Sequence, residues 1–315
     1  MSNKKKPSSY RAPQQQPQRR GLLDSILAPR SPGASPMPRL RTTVARGFVT
    51  VSSITPLLVA IPVVLLGVWV FITAFGFQGP FASLSVTFGL PPVTTSIDPQ
   101  IAGKTFRAAV DASGFAPNSG PIFAIVGFLL FHAVLTAIVA TLSVEQLRTG
   151  SVSAWAVRRA ARVLPTTIVV GFMSLGLLII GNLVAALLGA LGLALFAVIG
   201  SMVLGIYLFG FAATIAADED RRLTDTLTRS VRAARMPGSA NLWLAIMYVL
   251  ISVIPLLAPL PGSEIGVNPS IAAWVVAIVL SLVHLAMQAT LSYRYLAVAD
   301  EVPDKQPARE PAGRR

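Results

Sequence analysis

Four residues could carry chemistry inside the apolar stretches of this 315-residue chain: His132, Asn182, His284 and Gln288. A polar side chain in a lipid-facing stretch must find a partner, a cavity or a water path, so each is a candidate intramembrane site. Ser281, His284 and Gln288 stand at i, i+3 and i+7, which places them on one helical face, and His132 and Thr136 form a shorter polar pair. Three uses fit the two histidines. They could ligate a b-type haem between two helices, line a proton or solute pathway, or hydrogen-bond to neighbouring helices. The last asks least of the chain, so packing is the expectation and no cofactor or metal is expected. No carboxylate lies deep in an apolar stretch, which disfavours a carrier built on an Asp or Glu relay. There is no P-loop, GxSxG, HExxH or glycine-rich dinucleotide motif. The chain has no cysteine, which excludes disulfides, thiolate metal sites, a cysteine nucleophile and a lipoprotein anchor. A non-enzymatic protein is expected.

The elements that must position these residues follow from composition. Hydrophobic residues make up 53% of the chain and charged ones 12%, with a mean hydropathy of +0.67; a soluble domain carries about a quarter charged residues. The expected fold class is all-α, a polytopic membrane bundle of six transmembrane helices. The spans are 48–75, 121–143, 166–188, 193–217, 242–260 and 271–293, each long enough for a hydrocarbon core of about 30 Å. Pro56 and Pro62 should kink the first span, and Pro255 and Pro259 the outer end of the fifth. The third and fourth, joined around Gly189 to Gly192, should form a tight antiparallel hairpin. Residues 1–47, rich in Pro, Gln, Ser and Arg, read as a disordered basic tail, with an interfacial helix an alternative for Gly21–Ala28. Residues 294–315 read as a second disordered tail. The apolar stretch Phe81–Leu90 is too short to cross a bilayer and could dip into its interface.

Charge sets the orientation. Lys and Arg number 10, 4, 5 and 5 in the N-tail, the loops after spans 2 and 4, and the C-tail, against 2 in the opposite connections. By the positive-inside rule both termini are cytoplasmic, in a multi-pass protein of the cell membrane. The net charge of +13 therefore points to anionic inner-leaflet lipids rather than nucleic acid. The two basic loops read as amphipathic helices. Val152, Trp155, Ala156 and Val163 oppose Arg158, Arg159 and Arg162 in the first; Leu223, Leu227, Val231 and Ala234 oppose Arg222, Arg229, Arg232 and Arg235 in the second. Arg158, Arg159, Arg162, Arg229, Arg232 and Arg235 are the candidate contacts to lipid or to a partner, another membrane protein or a second copy of the chain. The acidic run Asp218-Glu219-Asp220 beside Arg221 and Arg222 reads as a solvated boundary.

The basic segments share wording, Arg159-Ala-Ala-Arg162-Val-Leu-Pro165 and Arg232-Ala-Ala-Arg235-Met-Pro237, 73 residues apart. An internal duplication or chance in a restricted alphabet both account for it. From Gly205-Ile-Tyr-Leu-Phe through Asp218-Glu-Asp to Leu227-Thr-Arg-Ser230 the chain resembles six-span bacterial membrane proteins of actinobacterial type, grouped near the membrane domain of glycerophosphodiester phosphodiesterases. The likeness covers roughly Gly150 to Leu260, with Thr226 where that group has alanine, and the soluble phosphodiesterase domain is absent. It implies a fold and a location but no hydrolase activity. Function is expected to be that of an accessory or scaffold in membrane or envelope processes. The alternative is a small-solute or lipid transporter with a cavity lined by the intramembrane His, Asn and Gln.

Overall fold

The structure, a computed structural model, describes residues 38–74, 89–94, 119–188, 194–219, 221–236, 240–252 and 271–302. The Gly21–Ala28 segment, the Gly189–Gly192 turn, Pro255, Pro259 and most of both tails lie outside these residues.

Among the described residues the fold is all-helical, with no strand. Four helical stretches are long and apolar enough to cross a membrane, or five if a bent pair is one span. The bent pair is α1 (Leu40–Ser53) and α2 (Thr55–Ala74), which meet at 83°. The sequence predicts a kink here; the outcome is a full break at Ile54. Pro56 lacks the N–H that would bond Ser52 and its ring crowds that carbonyl. The Ser52 and Ser53 hydroxyls donate to the carbonyls of Val49 (3.0 Å) and Thr50 (2.7 Å), occupying acceptors the next turn would have used. Pro62, by contrast, lies within continuous helix. α1 also begins at Leu40, inside the stretch read as a disordered tail, because it has α9 to pack on. Beyond the break, Leu57, Ile61, Leu65 and Val68 of α2 are buried while Val59, Val63, Leu66 and Val70 are exposed, two faces at helical spacing.

α3 (Ser119–Thr149) buries Leu129, His132, Ala133, Thr136, Ala137 and Ala140 at the same period. Gly150 closes it in the left-handed conformation, φ 74°, its N–H donating to the Gln146 carbonyl at 2.9 Å. α4 (Ala154–Leu188) is 35 residues, about 50 Å of helix, longer than a bilayer is thick. The expected first amphipathic loop helix is therefore no separate element. It continues through Pro165 into the span as one helix, so its arginines ride on a rigid extension.

α5 (Ala194–Phe209) and α6 (Ala212–Asp218) are two parts of one apolar stretch, interrupted at Gly210-Phe211. α4 and α5 pack closely: a Cβ on Gly181 would lie 2.5 Å from Ser201 Oγ. α7 (Leu223–Ala234) is the second basic loop and is a separate helix, as expected. The shared Arg-Ala-Ala-Arg wording thus lies mid-helix in α4 and at a helix end in α7. The described part of the fifth expected span lies in α8 (Asn241–Ser252), a helix of 12 residues, and α9 (Ile271–Leu296) is followed by a 3-10 turn, Ala299–Glu301. α9 touches α1, α2, α3 and α6 and is the spine of the bundle.

Candidate functional site

Two polar constellations stand out, one mid-bundle and one at the end where the basic loops gather.

The first is built on α3 and α9. His132 and Thr136 of α3, and Ser281, His284 and Gln288 of α9, are all buried. Each group lies near the middle of its helix. What fills the space between them is not another helix but the irregular segment Gly89–Thr94, whose Leu90 to Thr94 are also buried. Irregular backbone at membrane depth is tolerated only where protein or a cavity satisfies its polar groups. Here that accounting is visible. Pro91 and Pro92 have no N–H to satisfy. The Val93 N–H donates to Thr136 Oγ1 at 2.8 Å. The Pro91 carbonyl pairs with His132 Nδ1 at 2.7 Å; since a carbonyl only accepts, Nδ1 carries the proton.

The segment threads four helices. Gly89, at φ 69°, runs so close to α9 that a Cβ would sit 2.7 Å from Ser281 Oγ, and only glycine meets both demands. Val93 touches Gly171 of α4, and the Thr94 carbonyl faces Gly205 of α5. His284 Nδ1 pairs with the Tyr248 hydroxyl of α8 at 2.8 Å. Leu90, Pro91, Pro92, Thr136, His284 and Gln288 border a small cavity that leaves about 10 Å³ for the centre of a water molecule, enough for about one. Gln288 Nε2 is buried with no hydrogen-bond partner among the described residues.

His132, His284 and Gln288 are therefore brought together around this segment. Asn182 is not. It is exposed on α4 and donates to the Leu178 carbonyl of its own helix at 2.9 Å, an ordinary i to i−4 bond.

The second constellation ties the basic end together. Arg229 of α7, expected at the lipid surface, turns inward instead. Its Nε donates to Tyr295 Oη at 2.7 Å and to Glu219, Nη1 to the Val302 carbonyl at 2.8 Å and Nη2 to the Ala299 carbonyl at 2.7 Å. Glu219 also accepts from Tyr295 Oη and from Arg221. Asp218 accepts a two-pronged bond from Arg148 at 2.9 and 2.8 Å. The first two acids of the run read as a solvated boundary are thus partly buried acceptors. Arg294, counted with the tail by charge, is buried on Asn241 Oδ1 at 2.5 Å, and Asn241 in turn donates to the Ala233 carbonyl at the end of α7. These bonds bring the ends of α3, α6 and α9 and both basic loops to one end of the bundle. Reading the sequence by charge missed Arg148, Glu219, Arg294 and Tyr295; their signal was position, polar residues abutting the ends of apolar stretches.

No family model, curated protein or solved structure matches this chain. What the arrangement can do is argued from its own geometry.

Of the arginines expected to contact lipid or a partner, Arg158, Arg159 and Arg162 on the α4 extension and Arg235 after α7 are exposed and Arg232 is half-buried; Arg39, Arg41, Arg46, Arg148 and Arg222 are exposed as well. Arg159 pairs with Glu145 at 2.8 Å. Arg158 lies 4.5 Å over the ring of Trp155, which is 65% exposed. A cation stacked on an exposed indole has one face on apolar surface and the other free for an anion. Three arginines and three acids line an open cleft of about 630 Å³ around Asp218 and Glu219; its balanced charge suits an internal clasp better than an anion site.

Proposed function

We propose that this is a six-span protein of the cell membrane, with both termini cytoplasmic, that serves as a non-enzymatic scaffold holding anionic inner-leaflet lipid against its basic end. The observation that carries the reading is Trp155 beneath Arg158 on the rigid extension of α4. Tryptophan favours the headgroup layer, and a polybasic surface there gains about 1 kcal/mol per cation from anionic lipid. Arg159, Arg162, Arg232 and Arg235 complete the collar. Arg229 is withdrawn from it, being committed to internal acceptors. The resemblance to six-span bacterial membrane proteins supports the same location, and a second membrane protein or a second copy remains a compatible partner for the collar.

The test is native mass spectrometry of the protein extracted gently from its own membrane, beside the variant Arg158→Gln/Arg162→Gln/Arg235→Gln. Specific anionic phospholipid adducts on the wild type, lost from the variant at equal expression, support the reading. An identical lipid complement on both proteins would sink it.

A second reading has its own observation. The irregular segment Gly89–Thr94 seated on His132, Thr136, Ser281, His284 and Gln288 is the arrangement expected where a polar path crosses a helical bundle. On this reading the protein passes a small solute, and Asn182 has no part in it.

A further inference from the structure

We infer that Gly89–Thr94 is a plug seated in a binding chamber, and that the chamber takes a small uncharged solute bearing a carbonyl beside an N–H, of the primary-amide or urea class. The inference rests on the transport reading and names its site, its solute class and its gate.

The plug itself shows what the chamber recognises. One carbonyl, that of Pro91, is held by a ring N–H of His132, and one backbone N–H, that of Val93, is held by the hydroxyl of Thr136. A carbonyl acceptor and an N–H donor a few ångströms apart are the pattern of an amide. With the segment withdrawn, the same ring N–H and hydroxyl face the space it filled, joined by the amide of Gln288, whose Nε2 has no partner among the described residues. The cavity beside Pro91 and Pro92 is the part of this chamber that the plug leaves open, and it is bordered by both Thr136 and Gln288.

Charge argues for a neutral guest. Among the described residues no carboxylate, lysine or arginine borders that cavity, and a bare ion in such a site would be strongly disfavoured. The plug is also built for release. Two of its six residues are prolines, so few N–H groups must be satisfied when it is seated. Gly89–Thr94 precedes α3, whose far end carries Arg148 at the basic end. Ser119, the start of α3, stands at the opposite end from Arg148, and opening is expected on that side.

The absence of cysteine makes the test clean. Ser281→Cys places a reporter beneath Gly89, with Gln288→Cys as a second reporter should the first fold poorly. A Val93→Cys/Gly171→Cys pair locks the plug, since a Cβ on Gly171 points straight at the Val93 side chain, 2.6 Å from Cγ2. Proteoliposomes are treated with a small membrane-impermeant thiosulfonate, with and without acetamide, and stopped-flow light scattering follows acetamide and urea entry. The expected result is reporter labelling from the end opposite Arg148, slowed at least tenfold by the disulfide and restored by reduction. Millimolar acetamide should protect the reporter, and solute entry should exceed that of empty vesicles. Labelling indifferent to the disulfide, or none at either reporter, overturns the plug. Labelling that the disulfide controls but acetamide leaves unchanged overturns the solute class. Protection without accelerated entry keeps the site and discards the transport reading.

Discussion

At the scale of single residues, burial divides the arginines into two populations. Arg229 has its guanidinium on Tyr295, Glu219 and two carbonyls. Replacing it with Ala leaves Glu219 with Arg221 alone as counter-charge and strands the buried Ala299 and Val302 carbonyls, and each stranded buried acceptor costs about 1–3 kcal/mol. Arg229→Ala is therefore expected to lower the thermal midpoint in detergent markedly. Arg235→Ala, on the exposed side of the same loop, should stay within about 0.5 kcal/mol of wild type; equal losses in the two variants would refute the division. The same logic separates the intramembrane polar residues. His132→Leu strands the Pro91 carbonyl in an apolar interior, a penalty of about 1–3 kcal/mol. Asn182→Leu removes only an exposed bond to its own helix and should leave the midpoint unchanged in a parallel melt.

At the scale of elements, close approach rather than propensity places α1. A Cβ on Gly47 would fall 2.1 Å from Thr290 Oγ1 and 2.4 Å from the Ala286 carbonyl, whereas one on Gly67 meets nothing within 4 Å. Gly47→Val must push α1 away from the spine helix, with an overpacking cost of about 1–3 kcal/mol or more. Gly67→Ala should be neutral or slightly stabilising, because alanine is the better helix former. Scanning calorimetry of the purified pair checks this, and a Gly47→Val protein as stable as wild type would mean that α1 does not pack on α9 as described. The α4 extension follows the same theme. Nothing in a ten-residue window distinguishes a helix lying in the headgroup layer from one continuing into a span, since both carry apolar and basic faces. Here the extension remains in line, with Glu145 of α3 accepting from both Ser153 and Arg159.

At the scale of the whole molecule, the bonds Arg148–Asp218, Glu219–Tyr295 and Arg294–Asn241 gather several helix ends at one pole. With the positive-inside rule, that pole is expected to be cytoplasmic. In the cysteine-free chain, Ser151→Cys should react with an impermeant maleimide only after the membrane is opened, and Ser119→Cys, at the other end of α3, in intact cells. The reverse pattern, or labelling of both from one side, overturns the six-span orientation.

What the sequence by itself determined was everything that depends on period and composition: helices rather than strands, the approximate bounds of the apolar stretches, and the one polar face of Ser281, His284 and Gln288. These are local properties, since hydropathy and 3.6-residue spacing act along one segment at a time. Tertiary structure alone decided which charges are buried and which exposed, because Arg229 and Arg235 carry the same charge on neighbouring turns and differ only in what packs against them. It likewise decided that Asn182 stands apart, that the kink at Pro56 is a full break, and that Gly89–Thr94 lies deep in the bundle. A six-residue irregular segment has no period of its own. Its place is set by the hydroxyl of Thr136, the ring of His132 and the room left beside Ser281, partners distant in the chain and adjacent only once the helices have packed.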